Sequence, residues 1–156
     1  MKIDLILVGK DKEAWVKELS SEFVKRLSKS CDLEIILVAD ENVDDSQGKI
    51  AMKKEGDKII SKLKDGHKKI ALDVTGKQYS SEDFSRFILK LKDQEGGKVQ
   101  FIIGGAYGIS QEVLARMDYK LSLSSLTFTH QMARVLLLEQ LYRAFSIIQG
   151  SAYHKS

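Results

Sequence analysis

Proline is absent from the 156 residues, cysteine and tryptophan occur once each, histidine three times, and neither sign of charge is in large excess. Without proline, turn formation falls to Gly, Asn, Asp and Ser. A lone cysteine, Cys31, rules out an internal disulfide, and its place just before an apolar stretch suits a small buried thiol better than a nucleophile. His67, His130 and His154 show no ligand-like spacing and lie far in sequence from Cys31, so no metal site is expected. No apolar run approaches the roughly 20 residues of a membrane span, so no membrane association is expected. The opening Met1-Lys-Ile-Asp-Leu-Ile-Leu-Val-Gly9 has one Lys before a short apolar run broken by Asp4, which reads as a first strand rather than a signal peptide. These features together predict a cytoplasmic protein. The 25 basic residues against 22 acidic ones give +3, and Lys53-Lys54, Lys62, Lys64, Lys68-Lys69 and Lys90 are interleaved with acids. That pattern permits contact with nucleic acid without requiring it.

What is present suits a globular chain: 43% of residues are hydrophobic and 30% charged, and the length suffices for one core, so residues 1–156 are expected to form a single domain. Strand and helix patterns alternate. Apolar runs predict strands at Ile3–Val8, Leu33–Val38, Lys69–Val74, Val99–Ile103 and Lys120–Ser124. Helical spacing predicts Ala14–Leu27, with Trp15, Leu19, Phe23 and Leu27 four apart beside Val16 and Val24. A second helix from Ile50 to Lys64 would turn Met52, Ile59, Ile60 and Leu63 inward, after an acidic loop at Asp40–Gln47. Ser80 caps a third, with Asp83 in its first turn; a short one spans Ser110–Arg116; Thr129 caps the last, His130–Ile148. Such alternation predicts an α/β fold with a largely parallel sheet and helices on both faces. In the last helix Met132, Val135, Leu136, Leu137, Leu138, Leu141, Tyr142, Phe145, Ile147 and Ile148 cover more than one face. It is therefore central in the core or half of a dimer interface, and the interface is the preferred expectation.

Two stretches look unlike scaffold. In Phe101-Ile-Ile-Gly-Gly-Ala-Tyr-Gly108 a strand ends in glycines that let backbone approach a ligand, or that merely turn the chain. In Leu121-Ser-Leu-Ser-Ser-Leu-Thr-Phe-Thr129 an alternating strand stops in hydroxyls that would hold a nucleoside or simply cap the next helix. Neither G-x-G-x-x-G nor G-x-x-x-x-G-K-[ST] is present, which removes the best support for dinucleotide binding and P-loop phosphoryl transfer, and no G-x-S-x-G elbow marks a hydrolase.

Taken together, Ile103-Gly-Gly-Ala-Tyr-Gly108, Leu121-Ser-Leu-Ser124, Thr127-Phe-Thr-His-Gln131, Arg134-Val135, Glu139-Gln-Leu-Tyr-Arg-Ala-Phe-Ser146 and Tyr153-His154-Lys155 closely resemble one family. It is the large-subunit ribosomal RNA methyltransferase H family, the pseudouridine N3-methyltransferases of the SPOUT superfamily. The resemblance runs along the whole chain, including Val8-Gly9-Lys10 and Leu72-Asp73.

The resemblance implies a C-terminal trefoil knot, which no periodicity could have suggested because protein chains are almost never knotted. It implies a homodimer with an S-adenosylmethionine pocket formed by Leu72, Gly104, Leu123, Ser124, Ser125, Leu126, Thr127 and Phe128. The implied substrate is a pseudouridine of 23S ribosomal RNA in the assembled ribosome, methylated at ring nitrogen N3. A small protein docking on a shaped ribosomal site has less need of a large basic field. As N3–H loses its proton, His154 would serve as base or base-positioning group, Arg143 would stabilise the developing anion, and Tyr142 or Tyr153 would orient the nucleobase. By helix spacing alone, Arg143 is simply the ion-pair partner of Glu139. The chain departs from the family pattern at Thr129 and Ala152, where proline is common, a difference that bears on helix entry and on preorganisation of the tail. The alternative reading is a non-catalytic ribosome- or RNA-binding α/β domain.

Overall fold

A computed structural model describes residues 1–10 and 13–150, with Asp45 described by its backbone only. Five strands form one parallel sheet: β1 (Lys2–Val8), β2 (Asp32–Val38), β3 (Lys68–Lys77), β4 (Lys98–Ile103) and β5 (Tyr119–Leu121), in the order β2-β1-β4-β3-β5. Five α-helices connect them: α1 (Ala14–Leu27), α2 (Gly48–Ile60), α3 (Ser81–Asp93), α4 (Gln111–Leu114) and α5 (His130–Ile148), with a 3-10 turn at Asp45–Gln47 before α2. Strand alternation divides the core. Ile3, Leu5 and Leu7 of β1 and Val99, Phe101 and Ile103 of β4 face α1, α3 and α5. Ile6, Val8, Ala71 and Ile102 face α2 and α4 through Ile59, Val113 and Leu114. The sheet is thus covered on both faces, as parallel sheets require.

The caps expected at Ser80 and Thr129 are present, and Ser110, expected inside its helix, caps it instead; each hydroxyl accepts a backbone N–H three residues on, from Asp83, Met132 and Val113 respectively. Other expectations are corrected. Helix α2 spans Gly48–Ile60 rather than Ile50–Lys64; Ile59 is buried as expected and Ile60 and Leu63 pack half-buried on the core, but Met52 does not join it and Gly48, Ala51, Glu55 and Gly56 fill the inner face. The seat it offers to neighbouring loops is made of small residues that hydrophobicity does not register. On α1, Val16, Ser20 and Leu27 are buried, whereas Trp15 and Leu19 remain exposed, because the helix docks by the Val16 side of its apolar stripe. Strand β3 runs on to Lys77, and β5 stops at Leu121 rather than Ser124.

Helix α5 packs against both α1 and α3, and Leu137, Leu138, Leu141 and Ala144 are fully buried within the chain. The burden of apolar residues that suggested a dimer interface is therefore largely carried by the chain's own helices. One crossing is unusually close. Leu121 pairs with Leu72 and again with Lys77, and the N–H of Ser122 donates to the Lys77 carbonyl at 3.0 Å. A Cβ on Gly76 would lie 2.6 Å from the Lys120 carbonyl carbon, so only glycine permits the approach.

Candidate donor cleft at the carboxyl edge

Parallel strands end on one side of the sheet, and their outgoing loops enclose whatever that edge binds. Here the ends of β3, β4 and β5 diverge around a cleft of about 230 Å³. That is just short of the roughly 300–1,000 Å³ of typical small-molecule sites. Leu72, Ile103, Leu121 and Leu123 give it apolar walls, while Ser122, Ser124, Thr127 and His130 bring polar groups to it.

Two loops complete the lining. Gly104–Gly108 is folded tightly on itself: the Gly108 N–H donates to the Gly105 carbonyl at 3.1 Å, and a Cβ on Gly104 would lie 2.5 Å from the Gly108 oxygen. Any side chain at Gly104 would push this wall. Residues 122–129 lie outside helix and strand, so their backbone groups are not committed to a ladder. The loop is shaped by its hydroxyls: Ser122 Oγ donates to the Ser124 carbonyl at 2.9 Å, and Ser124 Oγ accepts the Leu126 N–H at 3.0 Å. Leu126 is 70% exposed and Phe128 38%, an apolar rim over the cleft.

The structure brings Leu72, Gly104, Leu123, Ser124, Leu126, Thr127 and Phe128 together around this space; Ser125, within the same loop, is not among the lining residues. Sequence reasoning gave His130 only a helix start, yet its ring lines the cleft, and a Cβ on Gly9 would lie 3.6 Å from its Nε2. Its position two residues beyond Phe128, in a motif already singled out, was the available clue.

The acceptor-side candidates are elsewhere. Tyr142 and Arg143 lie nine and ten residues beyond Ala133, the last lining residue, which puts them about 13–15 Å farther along α5. Tyr142 stands 6.3 Å from the Phe23 ring with Arg26 over it at 5.7 Å, and Arg143 is bonded to Glu139 at 3.0 and 3.1 Å. Tyr153 and His154 lie outside the described residues. Burial pushes the Cys31 thiol up to about 11, and its Sγ donates to the Leu27 carbonyl, so it is no nucleophile at neutral pH. Among the described residues no group of three or more His, Cys, Asp or Glu side chains is placed to hold a metal ion, and no helix is long and apolar enough to cross a membrane.

Residues 1–154 match the family model described as "Predicted SPOUT methyltransferase". Ribosomal RNA large subunit methyltransferase H of Clostridium acetobutylicum is 46% identical over 159 positions, spanning 99% of this chain and all of the relative. The protein of the same name from Finegoldia magna is 48% identical with the same coverage. A solved structure from Haemophilus influenzae, described as a probable methylase family protein, superposes with a TM-score of 0.58 at 15% identity, covering 99% of this chain and 70% of that one. At that identity the likeness is one of fold.

Proposed function

This chain belongs to the SPOUT methyltransferase family, and on that premise we propose that it transfers a methyl group from S-adenosylmethionine to N3 of a pseudouridine in large-subunit ribosomal RNA. The observation that carries the proposal is the cleft at the carboxyl edge, assembled from Leu72, Gly104 and the 123–128 loop in a chain whose relatives are named as methyltransferases of large-subunit ribosomal RNA. The residues present fit the donor. Apolar walls at Leu72, Ile103 and Leu123 suit a purine face, and the backbone of the 123–128 loop, outside helix and strand, suits its polar edge and ribose. When bound, the donor supplies an electrophilic methyl on a sulfonium. The chain's own contribution is to hold the reacting atoms in line and to exclude water, with Leu126 and Phe128 as the apolar rim.

Proton removal falls to the acceptor side. His154 would take or help position the N3 proton, Arg143 would stabilise the anion, and Tyr142 or Tyr153 would orient the base. Within one chain Arg143 is too far along α5 to reach the cleft, which supports a homodimer in which a second copy of α5 and its tail meets the cleft of the first. The double pairing of Leu121 with Leu72 and Lys77 supports a knotted crossing beneath the donor. A single domain, a cytoplasmic setting and the assembled ribosome as substrate complete the reading.

Calorimetry with S-adenosylmethionine, NAD and ATP tests the donor, with heat expected from the first alone. Mass spectrometry of ribosomal RNA from cells lacking the gene tests the acceptor; an unchanged methylation pattern there would point to a non-catalytic RNA-binding domain. Removing residues 153–156 should abolish turnover and spare donor binding, and surviving turnover would remove His154 from the mechanism.

A further inference from the structure

Glu55 is 3% exposed, on the inner face of α2, beneath the glycine wall of the cleft. Its Oε1 accepts the Glu41 backbone N–H at 3.0 Å; its Oε2 has no hydrogen-bond partner among the described residues. A Cβ on Gly105 would lie 2.7 Å from Oε2 and 3.0 Å from Val8 Cγ1, so the wall rests directly on this carboxyl. Two further contacts seat the same loop on the same helix. A Cβ on Gly48 would meet the Tyr107 ring at 2.6 Å, and one on Gly56 would meet Ser110 Oγ at 2.5 Å. Of the three seats only Glu55 carries a carboxyl. A buried carboxyl oxygen without a partner opposes folding, and an amide of the same shape would fill the place without an ionisable group. Its presence directly under a ligand-lining loop calls for a role.

We propose that Glu55 is a positioning residue of the donor cleft, holding the Gly104-Gly105 wall at the height at which the donor enters. The inference rests on the donor reading above. In its neutral form the carboxyl tolerates contact with the glycine backbone. Ionised, the unpaired oxygen draws water or N–H groups toward itself and displaces the wall. The groups facing it are Asp40 and Glu41 from the loop after β2, and Lys58 of its own helix, with Lys54 and Lys58 both paired to Glu41; His130 sits beyond Gly9. Burial raises the carboxyl above its usual range, the Glu41 N–H opposes the rise, and Asp40 adds to it. Donor affinity therefore declines as pH rises through that elevated ionisation.

The test is calorimetry with S-adenosylmethionine from about pH 5 to about pH 8 on the full chain, wild type beside Glu55→Gln and Glu55→Ala. The amide fixes the neutral form, so its affinity should match wild type at the acid end and exceed it by about threefold at the alkaline end. The two chains differ only at residue 55, so the difference between the two profiles belongs to Glu55. Glu55→Ala leaves the wall unsupported and should weaken binding about tenfold at every pH. Superposed wild-type and Glu55→Gln profiles overturn the inference, and Glu55→Gln decides it even where Glu55→Ala fails to fold. Absence of heat from the wild-type chain overturns the donor reading and this inference with it, whereas wild-type binding without the Glu55 difference overturns this inference alone.

Discussion

At the amino edge of the sheet every buried polar group but a few is engaged by neighbours; at the carboxyl edge backbone is left uncommitted. Gln100, fully buried on β4, donates from Nε2 to Asp4 Oδ2 and to the Lys62 carbonyl, both at 3.1 Å, and accepts the Lys64 N–H at 2.8 Å. Asp4 also meets Lys64 Nζ at 2.8 Å, and at the far side of the same edge Glu95 gathers Lys90, Lys68 and the Tyr119 hydroxyl. The carboxyl edge answers with glycines and with a loop, residues 122–129, that lies outside helix and strand. The contrast teaches a division of labour. The amino edge locks the strands in register, and that rigidity lets the opposite edge forgo the bonds a ligand would need.

The division can be broken most sharply at Gly104. Gly104→Val should drive the loop from the Gly108 carbonyl and weaken S-adenosylmethionine binding at least about 100-fold, or about 2.8 kcal/mol, while circular dichroism still reports a folded chain. Undiminished binding would mean that the wall is not part of the donor site. The mirror experiment is Gln100→Ala, which removes one partner of Asp4 and strands two backbone groups. We expect a loss of about 2–3 kcal/mol in urea unfolding with donor affinity within about twofold of wild type. Equal losses in both measurements would erase the contrast.

Smaller effects come from the two carboxyls whose ionisation is displaced in opposite directions. Glu55 is raised, so its ionisation opposes folding increasingly as pH climbs from the ordinary carboxylate range through its elevated value. Glu55→Gln should raise the melting temperature at pH 8 and have no effect near pH 4, with about 1 kcal/mol at stake. Glu95 is held below its usual range by Lys90 first and then by the Tyr119 hydroxyl, so its contribution is present at neutral pH and lost as pH falls through the lowered value. Glu95→Gln should lower the melting temperature slightly at pH 7 and match wild type at strongly acid pH, in a salt-sensitive way.

The alternation of elements, the caps at Ser80 and Thr129 and the end of β4 before Gly104 were legible because each leaves a local trace: a period, a hydroxyl, a glycine after an apolar run. The inward face of α2 left none, since Gly48, Ala51 and Glu55 are not apolar enough to mark a stripe, and the side is chosen by loops that arrive 50 residues later in Tyr107 and Ser110. The same holds for Trp15 and Leu19, where spacing identified a helix but not which part of its stripe would dock. His130 was visible as a helix start and became a cleft residue only when the fold set it against Gly9.

Helix α5 has a consequence for biosynthesis. It lies between α1 and α3, and Gln149 Nε2 reaches back to Ser30 Oγ at 3.0 Å. Chains emerge from the ribosome amino end first. Until the last helix is free, the faces of α1 and α3 that it covers have nothing to pack against, so a chain truncated before α5 would display the sticky surface by which proteases and chaperones recognise unfinished products. The packing of α1 and α3 is in this molecule completed only once α5 has emerged.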